Sequence, residues 1–299
     1  MNRVLFFCDG GNGYGLGHVM RCLALAEALT GNGYRAEFII NGTAVVDDFS
    51  YKSHCIPQLW PEQATGEFCV IDSYTIRERE MNRLWLAAKS CLWLDDENLR
   101  AYPGGTVINP SLFGNELVYN NPGVKHLLGQ DYIILRQAFR RRRIVKVINE
   151  TINELTVIMG GTDARNLLPE IVENISILSC KKNIIGASQV TFPGYNVLPR
   201  LSAGQLTEVF LRSDIVISAG GQTVNELIQM NTPAILIEAA DNQRNNIRAA
   251  VKRGLAVTCM PGDILHAADK MDYDTRLRLK IAMKKYDFSN GVFNIIREF

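Results

Sequence analysis

The chain has 299 residues, of which 47% are hydrophobic and 21% charged. That composition excludes a disordered chain and supplies apolar material for two ordinary domains or one large one. Lys+Arg 32 against Asp+Glu 31 leaves a formal net charge of +1, without the positive excess that marks a nucleic-acid-binding domain, so no nucleic-acid partner is expected.

No stretch approaches roughly 20 consecutive apolar residues, so stable membrane insertion is not expected either. The opening apolar run Val4–Cys8 is too short for a signal peptide and meets Asp9, which makes the cytoplasm the expected compartment. The cysteines are Cys8, Cys22, Cys55, Cys69, Cys91, Cys180 and Cys259. Their number is odd and none has CxxC spacing, so neither a disulfide framework nor a zinc cluster is expected. His18, His54, His126 and His266 show no HxxxH or HExxH pattern and suggest no metal.

In chain order, Val4–Cys8, Ala36–Ile40, Cys69–Asp72, Cys91–Leu94 and Thr106–Asn109 read as short buried strands, apolar on both faces and bounded by turn residues. Val19–Leu29 and Arg77–Lys89 show helical spacing between them. The join falls around residues 139–154, where Arg140-Arg141-Arg142-Arg143 reads as a solvated face or an anion or membrane-surface patch. Beyond it the plan repeats. Leu155–Met159, Asn183–Gly186, Asn196–Leu198, Ile215–Ser218, Ala234–Ile237 and Ala256–Cys259 read as strands. Leu167–Leu178, Ala203–Leu211, Thr223–Met230 and Asn245–Arg253 read as helices. Alternation of this kind implies two α/β halves with parallel sheets, and ligands in such sheets bind beyond the strand C-termini.

The loops after strands therefore carry the candidate chemistry. The loop from Asp9 to His18 holds five glycines (Gly10, Gly11, Gly13, Gly15 and Gly17), which allow close approach to a ligand at a helix N-terminus. Their spacing is not GxGxxG, the next strand ends in Asn41-Gly42 without a ribose-binding acid, and there is no GxxxxGK[ST]. Dinucleotide and P-loop readings both fall. His18 opens the first helix, where the helix dipole is expected to lower its pKa and keep it neutral, ready to accept a proton. Asp72-Ser73-Tyr74 can orient a substrate or a base, or can be ordinary turn chemistry. Asp95-Asp96-Glu97 can hold a metal or cap a turn. In the second half, Gly160-Gly161-Thr162-Asp163 and Gly220-Gly221-Gln222-Thr223 suit a diphosphate through backbone N–H donors. Glu226, a turn further, can accept from ribose hydroxyls or cap the helix. Asn242-Gln243 can bond sugar hydroxyls or a water, or simply start the next helix.

Gly15-Leu16-Gly17-His18-Val19-Met20-Arg21-Cys22-Leu23-Ala24-Leu25-Ala26 resembles the GxGHxxRxxxLA signature of the pseudaminic acid pathway hydrolase family. That family cleaves UDP-2,4-diacetamido-2,4,6-trideoxy-β-L-altropyranose and is related to spore-coat polysaccharide proteins and to MurG-like GT-B glycosyltransferases. Asp9 and the Asp72-Ser73-Tyr74 loop match further family motifs, as do the glycine loops of the second half. Gly10, Gly11 and Tyr14 depart from it beside the histidine and bear on which sugar is bound.

The resemblance implies an α/β, GT-B-like fold of two Rossmann-like domains, residues 1–143 and 154–299, with a cleft between them and the last helix a candidate to pack back on the first domain. It implies His18 as general base on a water, with Tyr74 and Asn242 positioning water or sugar. It assigns Asp9, Gly15, Gly17, Arg21 and Asp72 to substrate binding in the first domain. Gly161, Asp163, Gly220, Gly221, Gln222, Thr223, Glu226 and Gln243 bind substrate in the second. It implies an inverting hydrolase of a UDP-sugar, with no metal and no cofactor, and the balanced charge leaves nothing against a monomer. A GT-B glycosyltransferase that hands the sugar to an acceptor is the nearest alternative, and a non-catalytic binding module the next.

Overall fold

In a computed structural model of the chain, residues 2–11, 15–42, 51–55, 64–140, 146–160, 163, 165–186 and 191–299 are described. Gly161, Thr162, Tyr14 and Arg141–Arg143 lie outside them. The chain divides into two units, Met1–Gln137 with Asn290–Phe299, and Ala138–Ser289.

The first unit runs Arg3–Gly10 (β1), Gly17–Gly31 (α1), Arg35–Gly42 (β2), Lys52–Cys55 (β3), Phe68–Asp72 (β4), Glu78–Ala87 (α2), Ser90–Leu94 (β5), Thr106–Asn109 (β6) and Lys125–Leu128 (β7). The short helix Gln137–Arg140 (α3) leads into the second unit. That unit continues Glu154–Ile158 (β8), Leu168–Ile175 (α4), Lys181–Ile185 (β9), Asn196–Leu198 (β10), Ala203–Arg212 (α5), Ile215–Ala219 (β11), Thr223–Gln229 (α6), Ala234–Ile237 (β12), Arg244–Lys252 (α7), Val257–Thr258 (β13), Ile264–Asp269 (α8) and Tyr273–Met283 (α9). Gly291–Ile296 (α10) returns to the first unit.

All strand pairs are parallel. The first sheet has the order β3-β2-β1-β4-β5-β6-β7, the second β10-β9-β8-β11-β12-β13. A parallel strand is covered on both faces, and β1 shows how its sequence serves both. Val4, Phe6 and Cys8 pack with Cys22, Leu25 and Leu29 of α1 and with Val292 and Ile295 of α10. The alternate residues Leu5 and Phe7 face the other layer, with Met81 and Leu84 of α2. Phe6 stacks on Phe38 of β2 with ring centroids 4.8 Å apart. In each sheet the chain reverses direction of travel beside its first strand: β1 lies between β2 and β4, and β8 between β9 and β11. These are the topological switch points at which open α/β sheets form a crevice.

The polar stretch after the arginine run is built into the second unit. Buried Lys146 donates to the carbonyls of Phe210 (3.0 Å) and Leu211 (2.8 Å) and to that of Ser213, closing the C-terminal end of α5. Asn149 and the N–H groups of Asn153 and Glu154 all bind buried Asp214.

The return of the chain end depends on a missing side chain. A Cβ on Gly291 would lie 2.0 Å from the carbonyl oxygen of Ile133. Asn294 then donates to the carbonyl of Asp131 at 2.8 Å. Gly291→Ala is therefore expected to destabilise the protein by about 1–3 kcal/mol through overpacking. Gly17→Ala, whose Cβ would meet nothing within 4 Å, is expected to be close to neutral; urea unfolding of both variants makes the comparison.

Candidate active site

The parallel register brings three polar residues to the C-terminal edge of the first sheet. Asp9 pairs with Asn41 across β1 and β2, and Cys8 with Asp72 across β1 and β4. Asp9 is fully buried. One of its oxygens accepts from Asn41 Nδ2 and Thr75 Oγ1, both at 2.9 Å. The other accepts from Ser73 Oγ at 2.9 Å and from the N–H groups of Tyr74 and Thr75 at 2.8 and 3.2 Å. A buried carboxylate with five donors presents no open face to a ligand. Asp9 thus fastens the loop after β4 to β1.

That loop and the start of α1 assemble a charged cluster. His18 Nδ1 lies 2.6 Å from Asp72 Oδ1. Arg21, one turn along the helix, donates to both oxygens of Asp72, Nε to Oδ2 at 2.8 Å and Nη2 to Oδ1 at 2.6 Å. Its Nη1 reaches Asp96 Oδ1 at 2.6 Å. Asp96 Oδ2 accepts the Tyr74 hydroxyl at 2.7 Å. The Tyr74 ring stands edge-on to His18, centroids 4.4 Å apart and planes at 88°. His18, Arg21 and Asp72 are buried, whereas Tyr74 is 37% exposed. Arg21 and Asp72, which the resemblance assigns to substrate binding, are buried and paired with each other, and Asp72 holds the imidazole.

The electrostatics follow from burial and pairing. Burial alone would raise the Asp72 carboxyl, but Arg21 and His18 together hold it well below the carboxylate range. Burial pushes His18 down, and the adjacent Asp72 carboxylate overcomes it, so the imidazole lies above its ordinary 6.5. This corrects the lowering expected from the helix terminus: a carboxylate at hydrogen-bond distance outweighs a partial dipole charge. Burial, and next the Asp96 carboxylate, push the Tyr74 phenol up, so it stays neutral. With a carboxylate as acceptor, His18 keeps its proton on Nδ1 and offers Nε2 as the basic atom.

The glycines ahead of α1 divide by task. Gly11 and Gly15 exchange two backbone hydrogen bonds of 2.9 Å with φ of 100° and 69°, which pins the base of the loop in a form that favours glycine. Asp95 and Asp96 also divide. Asp95 accepts the N–H groups of Glu97 and Asn98 at 2.9 and 3.0 Å and caps the turn, while Asp96 enters the cluster. Sequence reasoning weighed this acidic pair for metal or turn and missed the partnership with Arg21; adjacent acids after a strand were the available signal. Among the described residues no group of three or more His, Cys, Asp or Glu is placed to hold a metal ion.

In the second unit the loops after β11 and β12 are tied together. Gln243 Oε1 accepts from Gly220 N at 3.1 Å and Ala239 N at 3.0 Å, and Asn246 Nδ2 donates to the Gly220 carbonyl at 3.2 Å. A Cβ on Gly220 would fall 2.4 Å from Ile247 Cγ1. The N–H of Gly220, expected to meet a diphosphate, is thus engaged by Gln243, whose amide oxygen braces the two loops. Asp163 accepts the N–H groups of Leu167 and Leu168 at 2.9 and 2.7 Å and caps α4. Gly221, Gln222 and Thr223 lead into α6, and Glu226 is buried within it. Asn242 sits exposed on the short turn Asp241–Gln243.

No family model matches the chain. It is 24% identical over 246 residues to a Helicobacter pylori protein described as pseudaminic acid cytidylyltransferase and UDP-2,4-diacetamido-2,4,6-trideoxy-beta-L-altropyranose hydrolase, covering 80% of this chain and 45% of that protein. The chain thus spans less than half of that relative's length. It is 21% identical over 299 residues to the Bacillus subtilis spore coat polysaccharide biosynthesis protein SpsG, covering 88% of this chain and 85% of that one. Among solved structures, Acinetobacter baumannii MurG matches over 100% of both chains with a TM-score of 0.60 and 14% identity.

The two parallel sheets and the match to MurG define the class: a GT-B-like chain of two Rossmann-like units. Within it, the two sequence relatives uphold the resemblance to the pseudaminic acid pathway hydrolase family and its spore-coat relations. No helix among the described residues is long and apolar enough to cross a membrane.

The His18–Asp72 pair makes a signed prediction. His18 is raised in the folded state, so its protonation stabilises the fold fully below about pH 6.5 and that stability is lost as pH rises through the folded value. The stability advantage of wild type over His18→Gln is expected to shrink over that window, measured by urea unfolding at a series of pH values.

Proposed function

We propose that the chain is an enzyme acting on a nucleotide sugar, and more narrowly a hydrolase that releases UDP from a UDP-activated diacetamido-trideoxy sugar. The observation that carries this reading is the buried His18–Asp72–Arg21 arrangement at the C-terminal edge of the first sheet. It is a base held in one tautomer by an ionised carboxylate, within the motif shared with the hydrolase family. Sequence similarity to the H. pylori protein supports the substrate class.

In this reading His18 Nε2 removes a proton from water while Nδ1–H stays on Asp72. The water oxygen bonds to the anomeric carbon, and the bond from that carbon to the diphosphate oxygen breaks with inversion. The electron pair leaves on UDP, already a good leaving group. The N–H groups of Gly221, Gln222 and Thr223, which precede or open α6 and have no intrahelical acceptor, hold the diphosphate. Glu226 serves the ribose and Asn242 the sugar.

The second reading is a glycosyltransferase of the same fold, favoured by the likeness to MurG. The same base would then deprotonate an acceptor hydroxyl. UDP release from a panel of UDP-activated diacetamido-trideoxy sugars, without acceptor and with EDTA present, separates the two. Hydrolysis predicts release that falls by about 10²–10⁴-fold in His18→Ala. It also predicts a kcat/KM that climbs with pH through a limb above 6.5, because the neutral imidazole is the active form. Tight UDP binding without release would move the assignment to the transferase.

A further inference from the structure

Asp96 is not needed where it stands to close its own turn, because Asp95 does that. Both Asp96 oxygens go to the site, one to Arg21 and one to Tyr74. Arg21 is already satisfied by a two-pronged contact to Asp72. A second carboxylate on a single buried guanidinium leaves the Asp72–Arg21–Asp96 group with one net negative charge. A proton on His18 offsets it from within the cluster, and the Arg100 guanidinium, bonded to the Ser73 and Tyr74 carbonyls, lies beside it. Tyr74 is affected differently: a carboxylate only accepts, so the phenol proton is committed to Asp96. The oxygen of Tyr74 is then left as an acceptor toward anything that approaches its exposed side.

We propose that Asp96 is a positioning residue for the His18–Tyr74 pair: it fixes the Tyr74 hydroxyl as a hydrogen-bond acceptor toward a donor on the substrate, a hydroxyl, an amide N–H or the attacking water, and supplies the second negative charge that His18 faces. Asp72 at the end of β4 is hydrogen-bonded to His18 and Tyr74 in the following loop stands edge-on to it, while Arg21 on α1 and Asp96 after β5 act on it through charge. Burial and Arg21 disfavour its charged form, while Asp72 and Asp96 favour it. The acceptor role deepens the hydrolase reading and rests on it; the charge role does not, since it can be read without substrate.

The test is a titration of the His18 imidazole by heteronuclear NMR, assigned with His18→Gln. Asp96→Asn is expected to lower the His18 pKa, Asp96→Glu to restore most of that, and Tyr74→Phe to leave it nearly unchanged. With a turned-over UDP-sugar, Asp96→Asn and Tyr74→Phe are expected to lower kcat/KM by similar factors, and the double variant no further than either alone. A folded Asp96→Asn with a wild-type His18 titration overturns the charge role. Effects that multiply in the double variant overturn the positioning of Tyr74. If Asp96→Asn does not fold, Asp96→Glu decides. It predicts a wild-type His18 titration with kcat/KM reduced to the Tyr74→Phe level, and wild-type kcat/KM or a lowered His18 pKa overturns the proposal. Absence of any turnover would count against the hydrolase reading and leave the titration to decide on Asp96.

Discussion

A guanidinium buried between two carboxylates organises the first unit's site. Burying Arg21 without partners would carry a large desolvation penalty, and a buried ion pair repays that penalty only when its geometry is good and its remaining donors are met. Arg21 meets the condition with Nε and Nη2 on Asp72 and Nη1 on Asp96. The fork geometry of the side chain sets where the two carboxylates sit. Those carboxylates in turn set His18 and Tyr74. The orientation of the imidazole is therefore inherited from an ion network whose centre is one helical turn away from it.

Four aspartates near one sheet edge do four different things, and their surroundings decide which. Asp9 is fully buried among five donors and works as a fastener. Asp72 is equally buried but faces a cation and an imidazole, so it stays ionised and orients. Asp95 caps a turn. Asp96 keeps partial exposure and joins the cluster to the phenol that reaches the surface. The second unit shows the same economy with uncharged groups. The amide of Gln243 takes two N–H donors from different loops and holds them in register, while Gly220 lets Ile247 approach where any Cβ would collide.

Much of the fold was legible because central parallel strands need apolar residues on both faces, and that demand writes a recognisable run such as Val4–Cys8 or Ala234–Ile237. The edge strands of the first sheet were not, whereas those of the second, β10 and β13, were. β3, Lys-Ser-His-Cys, and β7, Lys-His-Leu-Leu, pair on one side only, so they carry polar residues and lose the signal. α9 escaped for a different reason: its apolar residues alternate with charged ones, and it buries Arg276 with Leu279 and Met283 while Ile281 is exposed, so its two faces show little contrast. In the site, the loop positions of His18, Tyr74 and Asp72 could be read because they follow strands and stand at a helix start.

By itself the sequence determined the two α/β halves and the polar loops that follow their strands, since hydrophobic periodicity and local turn chemistry are short-range properties. Only the tertiary structure decided the partners. Asp9 and Thr75 are 66 residues apart, and Arg21 and Asp96 are 75 apart, brought together by the order in which parallel strands lie. The His18 pKa direction, the fastening role of Asp9 and the separate duties of Asp95 and Asp96 all follow from those long-range neighbours. Charge–charge and hydrogen-bond energies depend on distance in space, which no local pattern of residues records.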